Sequence, residues 1–310
     1  MGIKKSVFVF AVVILSVFII AVTGISFYML DYSLAPGEDR TDSAAHYDTL
    51  YTDYPEVRTW TDSLRRLHAL RDTFVTMPTG ERHHALYIRE GGQKTAFVVH
   101  GWRDCSIDFL YLAKMYQQMF GYNVVVPDLH ASGLSDGDAI GMGWLDRKDM
   151  LQWLEVFKSD TIIVHGVSMG AATTMMMSGE QMPDWVRDIR FIEDCGYTSV
   201  WDEFSKELKE EFGLPAFPLM YSTSMLCKLR YGWSFSEASA LRQVKKCQYP
   251  MLFIHGDNDT FVPTEMSLRL YQAKPGRKRI WITSNTEHAE SYKNHREEYM
   301  KRVGDFILWE

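Results

Sequence analysis

Cysteine is scarce in this chain of 310 residues, and its four copies, Cys105, Cys195, Cys227 and Cys247, never form a Cys-x-x-Cys pair. That spacing argues against a structural zinc site. Cys227 and Cys247 flank one segment and would close a loop in an oxidising compartment; four free, buried thiols are the other reading. Positive charge is also in deficit. The net charge is −7, and because residues 1–30 carry Lys4 and Lys5 but no acid, the remainder stands at −9. An acidic domain repels nucleic acid and anionic headgroups. The short cluster Lys274, Arg277, Lys278 and Arg279 surrounds Pro275-Gly276 and reads as a solvated turn, so nucleic acid is not an expected partner. Internal repeats and low-complexity tracts are absent, which leaves out repeat architectures.

What is present describes a globular protein: 46% hydrophobic and 24% charged residues. Aromatics reach 14%, enough to fill a core and also to line an apolar pocket. The first thirty residues differ from the rest. Met1-Gly-Ile-Lys-Lys5 leads into an uncharged run from Ser6 to Leu30. As a helix that run spans about 38 Å, more than a bilayer core of about 30 Å. It is longer than the apolar core of a signal peptide, and Phe27-Tyr-Met-Leu30 is a poor cleavage site, so an uncleaved anchor is expected. Lysines before the run and Asp31, Glu38, Asp39 and Asp42 after it favour a cytoplasmic N-terminus with the bulk of the chain outside. Residues 31–60 read as a linker, and residues 61–310 as one domain.

Within that domain helical spacing of Leu64, Leu67 and Leu70 predicts a helix starting at Asp62. Thr73–Met77 and Ala85–Arg89 flank Pro78-Thr79-Gly80 and predict a hairpin. Short β-rich runs then alternate with helical patterns. Strands are expected at 95–99, 123–126, 161–164, 190–192, 250–255 and 279–283. Helices are expected at 107–120, 144–157, 169–178, 264–273 and 289–308. Alternation of this kind predicts a mostly parallel sheet with helices on both faces. It breaks from Tyr197 to about Gln248, an aromatic, Pro-containing stretch that reads as a helical cap insertion over one end of the sheet.

The chemistry sits at strand ends. Gly166-Val-Ser-Met-Gly170 follows one predicted strand and opens a helix, the context of a nucleophile elbow. The turn is tight enough to need both glycines, and the helix N-terminus favours developing negative charge beside the Ser168 hydroxyl. A serine hydroxyl attacks well only when a base takes its proton. In the chain order serine, acid, histidine, Asp259 follows the strand ending near His255, and His288 follows the last strand. Asp257 competes with Asp259 but lies closer to the strand end, where it would bond the turn. His295 falls two helical turns after His288 and reads as a surface residue, and His83-His84 point to opposite faces of a strand, which disfavours a joint metal site. An oxyanion needs two backbone N–H donors. Met169 and, from the His100-Gly-Trp102 loop, Trp102 are the candidates. Trp201, Phe204, Phe212, Phe217, Tyr221 and Trp233 in the insertion would either form an apolar acyl pocket or pack the insertion onto the sheet.

The His100-Gly-Trp loop, Gly166-Val-Ser-Met-Gly170, His255-Gly-Asp-Asn-Asp259 and the late His288 resemble the α/β-hydrolase superfamily over about residues 70–310. Asp128-Leu-His-Ala-Ser-Gly-Leu-Ser135, Ile140-Gly-Met-Gly-Trp144 with Asp146-Arg147, and Glu193-Asp-Cys-Gly-Tyr-Thr-Ser199 look like the bacterial membrane-anchored branch related to the BEM46-like serine hydrolases. The usual Arg-Gly-His-Gly wording is here His130-Ala-Ser-Gly133. The resemblance implies an α/β-hydrolase fold and hydrolysis without a metal or organic cofactor. The expected substrate is a small ester or acyl compound. A peptidase on the same three residues, or a non-catalytic binding module of this fold, are the rival classes.

Overall fold

The computed structural model describes residues 2–309. The chain divides into two compact units. The larger comprises residues 36–199 and 239–310; the smaller comprises 1–35 and 200–238.

The larger unit is built on an eight-stranded sheet in the order β1-β2-β4-β3-β5-β6-β7-β8. Its strands are β1 (Leu70–Thr76), β2 (Arg82–Ile88), β3 (Lys94–Val99), β4 (Asn123–Pro127), β5 (Thr161–Val167), β6 (Asp188–Asp194), β7 (Met251–Gly256) and β8 (Lys278–Thr283). The β1–β2 hairpin and the β2–β4 pair are antiparallel, and every later pairing is parallel. The central strands read as unbroken apolar runs because both of their faces are covered. Asn-Val-Val-Val-Pro in β4 and Met-Leu-Phe-Ile-His-Gly in β7 are buried at every position. The crossovers supply α4 (Leu110–Phe120), α5 (Asp146–Val156), α6 (Met169–Ser178) and α10 (Thr264–Ala273), all where the apolar spacing predicts them, and a short α9 (Ala240–Val244) precedes β7.

Three expectations need correction. The segment 31–60 is not a bare linker: it holds α2 (Ser43–Asp53) and half of α3 (Pro55–Arg66). Leu50, Val57 and Trp60 from these helices enter the main core. Their apolar residues are too few per turn to reveal burial in sequence. The helix expected to begin at Asp62 instead begins at Pro55, whose fixed φ suits a first helical position, and it ends before His68, which adopts φ 52°. The C-terminal helix is broken into α11 (Ser291–Asn294) and α12 (Arg296–Ile307) at His295, whose φ −131° leaves the helical region. All four cysteines are free and buried.

The smaller unit pairs α1 (Gly2–Leu34) with the insertion helices α7 (Val200–Phe212) and α8 (Leu219–Tyr231). The span Lys5–Leu34 contains an 18-residue stretch of mean hydropathy 2.9 and is long and apolar enough to cross a membrane. Ser16 returns its hydroxyl to the Val12 carbonyl at 2.9 Å, so this polar side chain is satisfied within the helix.

Candidate active site

The loops that leave the carboxyl ends of β3, β5, β6 and β8 carry backbone that L-residues adopt reluctantly. Arg103, Ser168, Cys195 and Ala289 have φ of 61°, 56°, 53° and 59°. At Ser168 the reason is visible in the neighbouring glycines. A Cβ on Gly166 would stand 2.0 Å from the Gly170 carbonyl oxygen, and one on Gly170 would stand 2.1 Å from the Val99 carbonyl oxygen. Only glycine lets β5 turn this sharply into α6 while β3 passes alongside. The turn is further tied by the Ser168 N–H, which donates to the Asp194 carbonyl at 2.8 Å.

Three residues distant in sequence meet here. Ser168 Oγ lies 2.8 Å from His288 Nε2, and His288 Nδ1 lies 2.7 Å from Asp259 Oδ2. With a carboxylate on Nδ1, the imidazole carries its proton there and leaves Nε2 to accept from the hydroxyl. The Asp259 side chain is wholly buried, whereas His288 is 20% exposed. Burial alone would raise the Asp259 carboxyl, but hydrogen bonds from His255 and His288 outweigh it and hold the group at about 2. The Val262 N–H donates to its other oxygen at 2.8 Å.

Asp257 does what its place near the strand end suggests: its carboxylate accepts the Thr286 N–H at 3.3 Å. His295 is half-buried, with Nε2 at 2.9 Å from the Ser284 carbonyl and 3.0 Å from Thr286 Oγ1; it holds the loop that carries His288. His100 is fully buried. Its Nδ1 faces the Gly101 carbonyl at 2.8 Å and its Nε2 accepts the Leu129 N–H at 2.9 Å, so it braces the loop bearing Trp102. That loop runs beside the serine: a Cβ on Gly101 would lie 3.6 Å from Ser168 Cβ. Met169, at the first position of α6, is buried.

His255 is a site residue that sequence reasoning missed. Its Nε2 lies 3.2 Å from Asp259 Oδ2 and 2.8 Å from the Val262 carbonyl. Burial pushes its pKa down, and the contacts with Asp259 and Glu193 push it further up, leaving it raised. The available signal is an i, i+4 histidine–aspartate pair inside one loop. Glu193, fully buried on β6, accepts from Ser267 Oγ at 3.1 Å and from the Gly196 N–H at 3.0 Å. Burial pushes it to about 8. Asp194 is pushed to about 6 by burial, against the Tyr299 hydroxyl that donates to it at 2.9 Å.

His83 and His84 face opposite ways, as strand alternation requires. His83 lies near Glu81, Asp149 and His130, while His84 lies between Asp72 and Asp128. Glu81, His83 and His130 form one cluster of metal-ligating atom types, and His46, Cys105 and Asp108 form another, each within 4.8 Å. In the insertion, Phe204 meets Phe235 edge-on at 5.0 Å and Trp233 is buried against Phe235, while Trp201 stacks edge-on with Tyr221. Phe217 and Tyr221 are exposed.

Comparison with known proteins places this geometry. A family model described as serine hydrolase (FSH1) matches residues 160–289. An uncharacterized protein of Bacillus subtilis (strain 168), YqkD, is 31% identical over 218 residues, covering 69% of this chain and 70% of the relative. Among solved structures, the Pyrococcus furiosus esterase Pf2001 is similar at 22% identity with a TM-score of 0.62, over 79% of this chain and 94% of that one. The esterase EaEST from Exiguobacterium antarcticum is similar at 16% identity and a TM-score of 0.56, over 76% and 98%. At such identities the two structures speak to fold, and the mostly parallel eight-stranded sheet with its flanking helices matches them. The chain belongs to the α/β-hydrolase superfamily.

Proposed function

We propose that this protein is a serine hydrolase that cleaves carboxylic ester-type bonds through an acyl-enzyme. The reading rests on one observation: the series Ser168 Oγ, His288 Nε2, His288 Nδ1 and Asp259 Oδ2, with contacts of 2.8 and 2.7 Å, built on a positive-φ turn between β5 and α6. Ser168 Oγ attacks the substrate carbonyl as its proton passes to His288 Nε2. The Asp259 carboxylate fixes the imidazole tautomer and stabilises the imidazolium that forms. The Met169 and Trp102 N–H groups hold the oxyanion as it develops. His288 then protonates the departing alkoxide. Water then gives a proton to His288 Nε2 as its oxygen bonds to the acyl carbon; the C–Oγ bond breaks, His288 returns the proton to Ser168 Oγ, and the acid departs. The match of residues 160–289 to the serine hydrolase (FSH1) family model supports this reading.

The same proposal tethers the enzyme by α1, with Lys4 and Lys5 on the cytoplasmic side and the hydrolase domain on the opposite side of the membrane. An alkoxide leaving group departs more readily than an amine, which favours the ester over the peptide amide as substrate. The test is a panel: p-nitrophenyl acetate and butyrate against a peptide-amide library, with full-length enzyme in detergent. Ester turnover at least about 100-fold above amide turnover is expected. Preference for a peptide amide would replace esterase by peptidase.

A further inference from the structure

The insertion helix α8, with the turn that leads into it, has two unlike faces. Leu219, Met220, Thr223, Ser224 and Cys227 are buried, while Phe217, Tyr221, Met225 and Leu229, four residues apart, are 74%, 60%, 60% and 76% exposed. Spacing of four places these side chains on one stripe. A row of large apolar groups facing water is costly and marks a surface that something covers.

What covers it is set by the helix alongside. From Lys5 to Ile25, α1 is bare: its side chains are exposed apart from the half-buried Val22. At 1.5 Å per residue that stretch is about 31 Å long, the thickness of a bilayer core of about 30 Å. Burial begins only afterwards, at Ser26, Leu30 and Leu34, again four apart. This second stretch is where α8 packs. Ser26 Oγ and Ser222 Oγ share a hydrogen bond of 2.6 Å, and Arg230 pairs with Asp31 at 3.0 Å. Tyr32 extends the seam by donating to Glu211 at 3.2 Å and meeting Phe212 edge-on at 5.8 Å. If the bare stretch fills the hydrocarbon, Ser26 emerges at the acyl–headgroup boundary and Asp31 lies among the headgroups. α8, fixed to both, lies at that same level.

We infer that α8 is a second membrane contact at the lipid interface, with Phe217 and Tyr221 near the level of Ser26 reaching the acyl chains and Met225 and Leu229 covered by lipid nearer the headgroups. The occupant is a lipid bilayer surface. The stripe belongs to the same compact unit as the spanning helix and sits at the depth where aromatic side chains prefer to lie. Phe217 and Tyr221, expected from sequence in an acyl pocket, are thereby assigned to lipid. The inference rests on the reading of α1 as a membrane span.

The test uses the full chain in phosphatidylcholine vesicles, carrying one added cysteine labelled with an environment-sensitive fluorophore at Leu15→Cys or at Met225→Cys. The four native cysteines are buried and stay unlabelled in folded protein. Quenching at 15 by deep spin-labelled lipid and at 225 by shallow spin-labelled lipid, with 225 shielded from iodide, is the expected pattern. Adding Phe217→Ser and Leu229→Ser should remove about half or more of the shallow quenching at 225 and leave that at 15 unchanged. Quenching at 15 together with free iodide access at 225 would overturn the interfacial role of α8 and leave the span standing. Absence of lipid quenching at both positions would overturn the span and this inference with it.

Discussion

Two imidazole–carboxylate pairs in this protein share one length and differ in what they face. His288 Nδ1 and His84 Nδ1 each stand 2.7 Å from an aspartate oxygen, Asp259 in one case and Asp128 in the other. At the second nitrogen they part. His84 Nε2 meets another carboxylate, Asp72, at 3.0 Å, while His288 Nε2 meets the Ser168 hydroxyl at 2.8 Å. Burial opposes charge on His84, but the hydrogen bonds and charges of Asp128 and Asp72 prevail and raise its pKa. An imidazole with a carboxylate at each end is kept as a cation and has no nitrogen left to accept a proton. An imidazole between a carboxylate and a hydroxyl keeps that capacity. The pair is therefore a common building block, and the group at its far end decides between bracing a fold and moving a proton.

Removing the hydroxyl gives the largest expected effect. Ser168→Ala should lower ester turnover by about 10⁴-fold or more while leaving the melting temperature within about 2 °C, measured by p-nitrophenyl butyrate hydrolysis and thermal unfolding. Asp259→Asn should cost about 10³- to 10⁴-fold in kcat through the wrong tautomer of His288, and it should also lower stability because His255 loses the same partner. Asp128→Asn breaks the other pair. It should destabilise by about 3–5 kcal/mol in urea titration, because a buried cation loses its nearest partner, and leave kcat/KM of the folded fraction within about 3-fold. A large loss of kcat/KM with unchanged stability in Asp128→Asn would erase the distinction drawn between the two pairs.

The smallest effect is on stability against pH. The His84 pair stabilises fully below the unfolded imidazole pKa of about 6.5, and its contribution is lost as pH rises through the raised folded value. Buried acids act in the same direction. Glu193 and Asp149 are pushed to about 8 and Asp104 to about 7, each chiefly by burial. Their protonated forms favour the fold most fully below the unfolded carboxyl pKa of about 4, and that advantage fades as pH climbs through the folded values. The melting temperature should therefore fall from pH 6 to pH 9 by about a few degrees, and Asp149→Asn should flatten the slope. A rising profile over that range would contradict the charge states argued for these groups.

The sheet was legible because its strands are apolar on both faces and its helices are punctuated by turns. Gly166, Ser168 and Gly170 were legible because a strand-to-helix turn of this sharpness admits few residues. Asp259 and His288 followed from chain order alone. Other features carried no periodic mark. Burial of α2 depends on Leu50 meeting a core assembled from the far end of the chain. His255 and His295 act through loop geometry, and the exposed stripe on α8 has the same composition as a buried one. Sequence supplies the spacing of Phe217, Tyr221, Met225 and Leu229, and only packing says which side of the helix is already occupied.

The identity of the nucleophile is open to one covalent experiment. Full-length protein treated with a fluorophosphonate, digested and mapped by mass spectrometry should carry a single adduct on the peptide that contains Ser168, and Ser168→Ala should carry none. An adduct on a different residue, or ester turnover by protein that stays unlabelled at Ser168, would contradict the account.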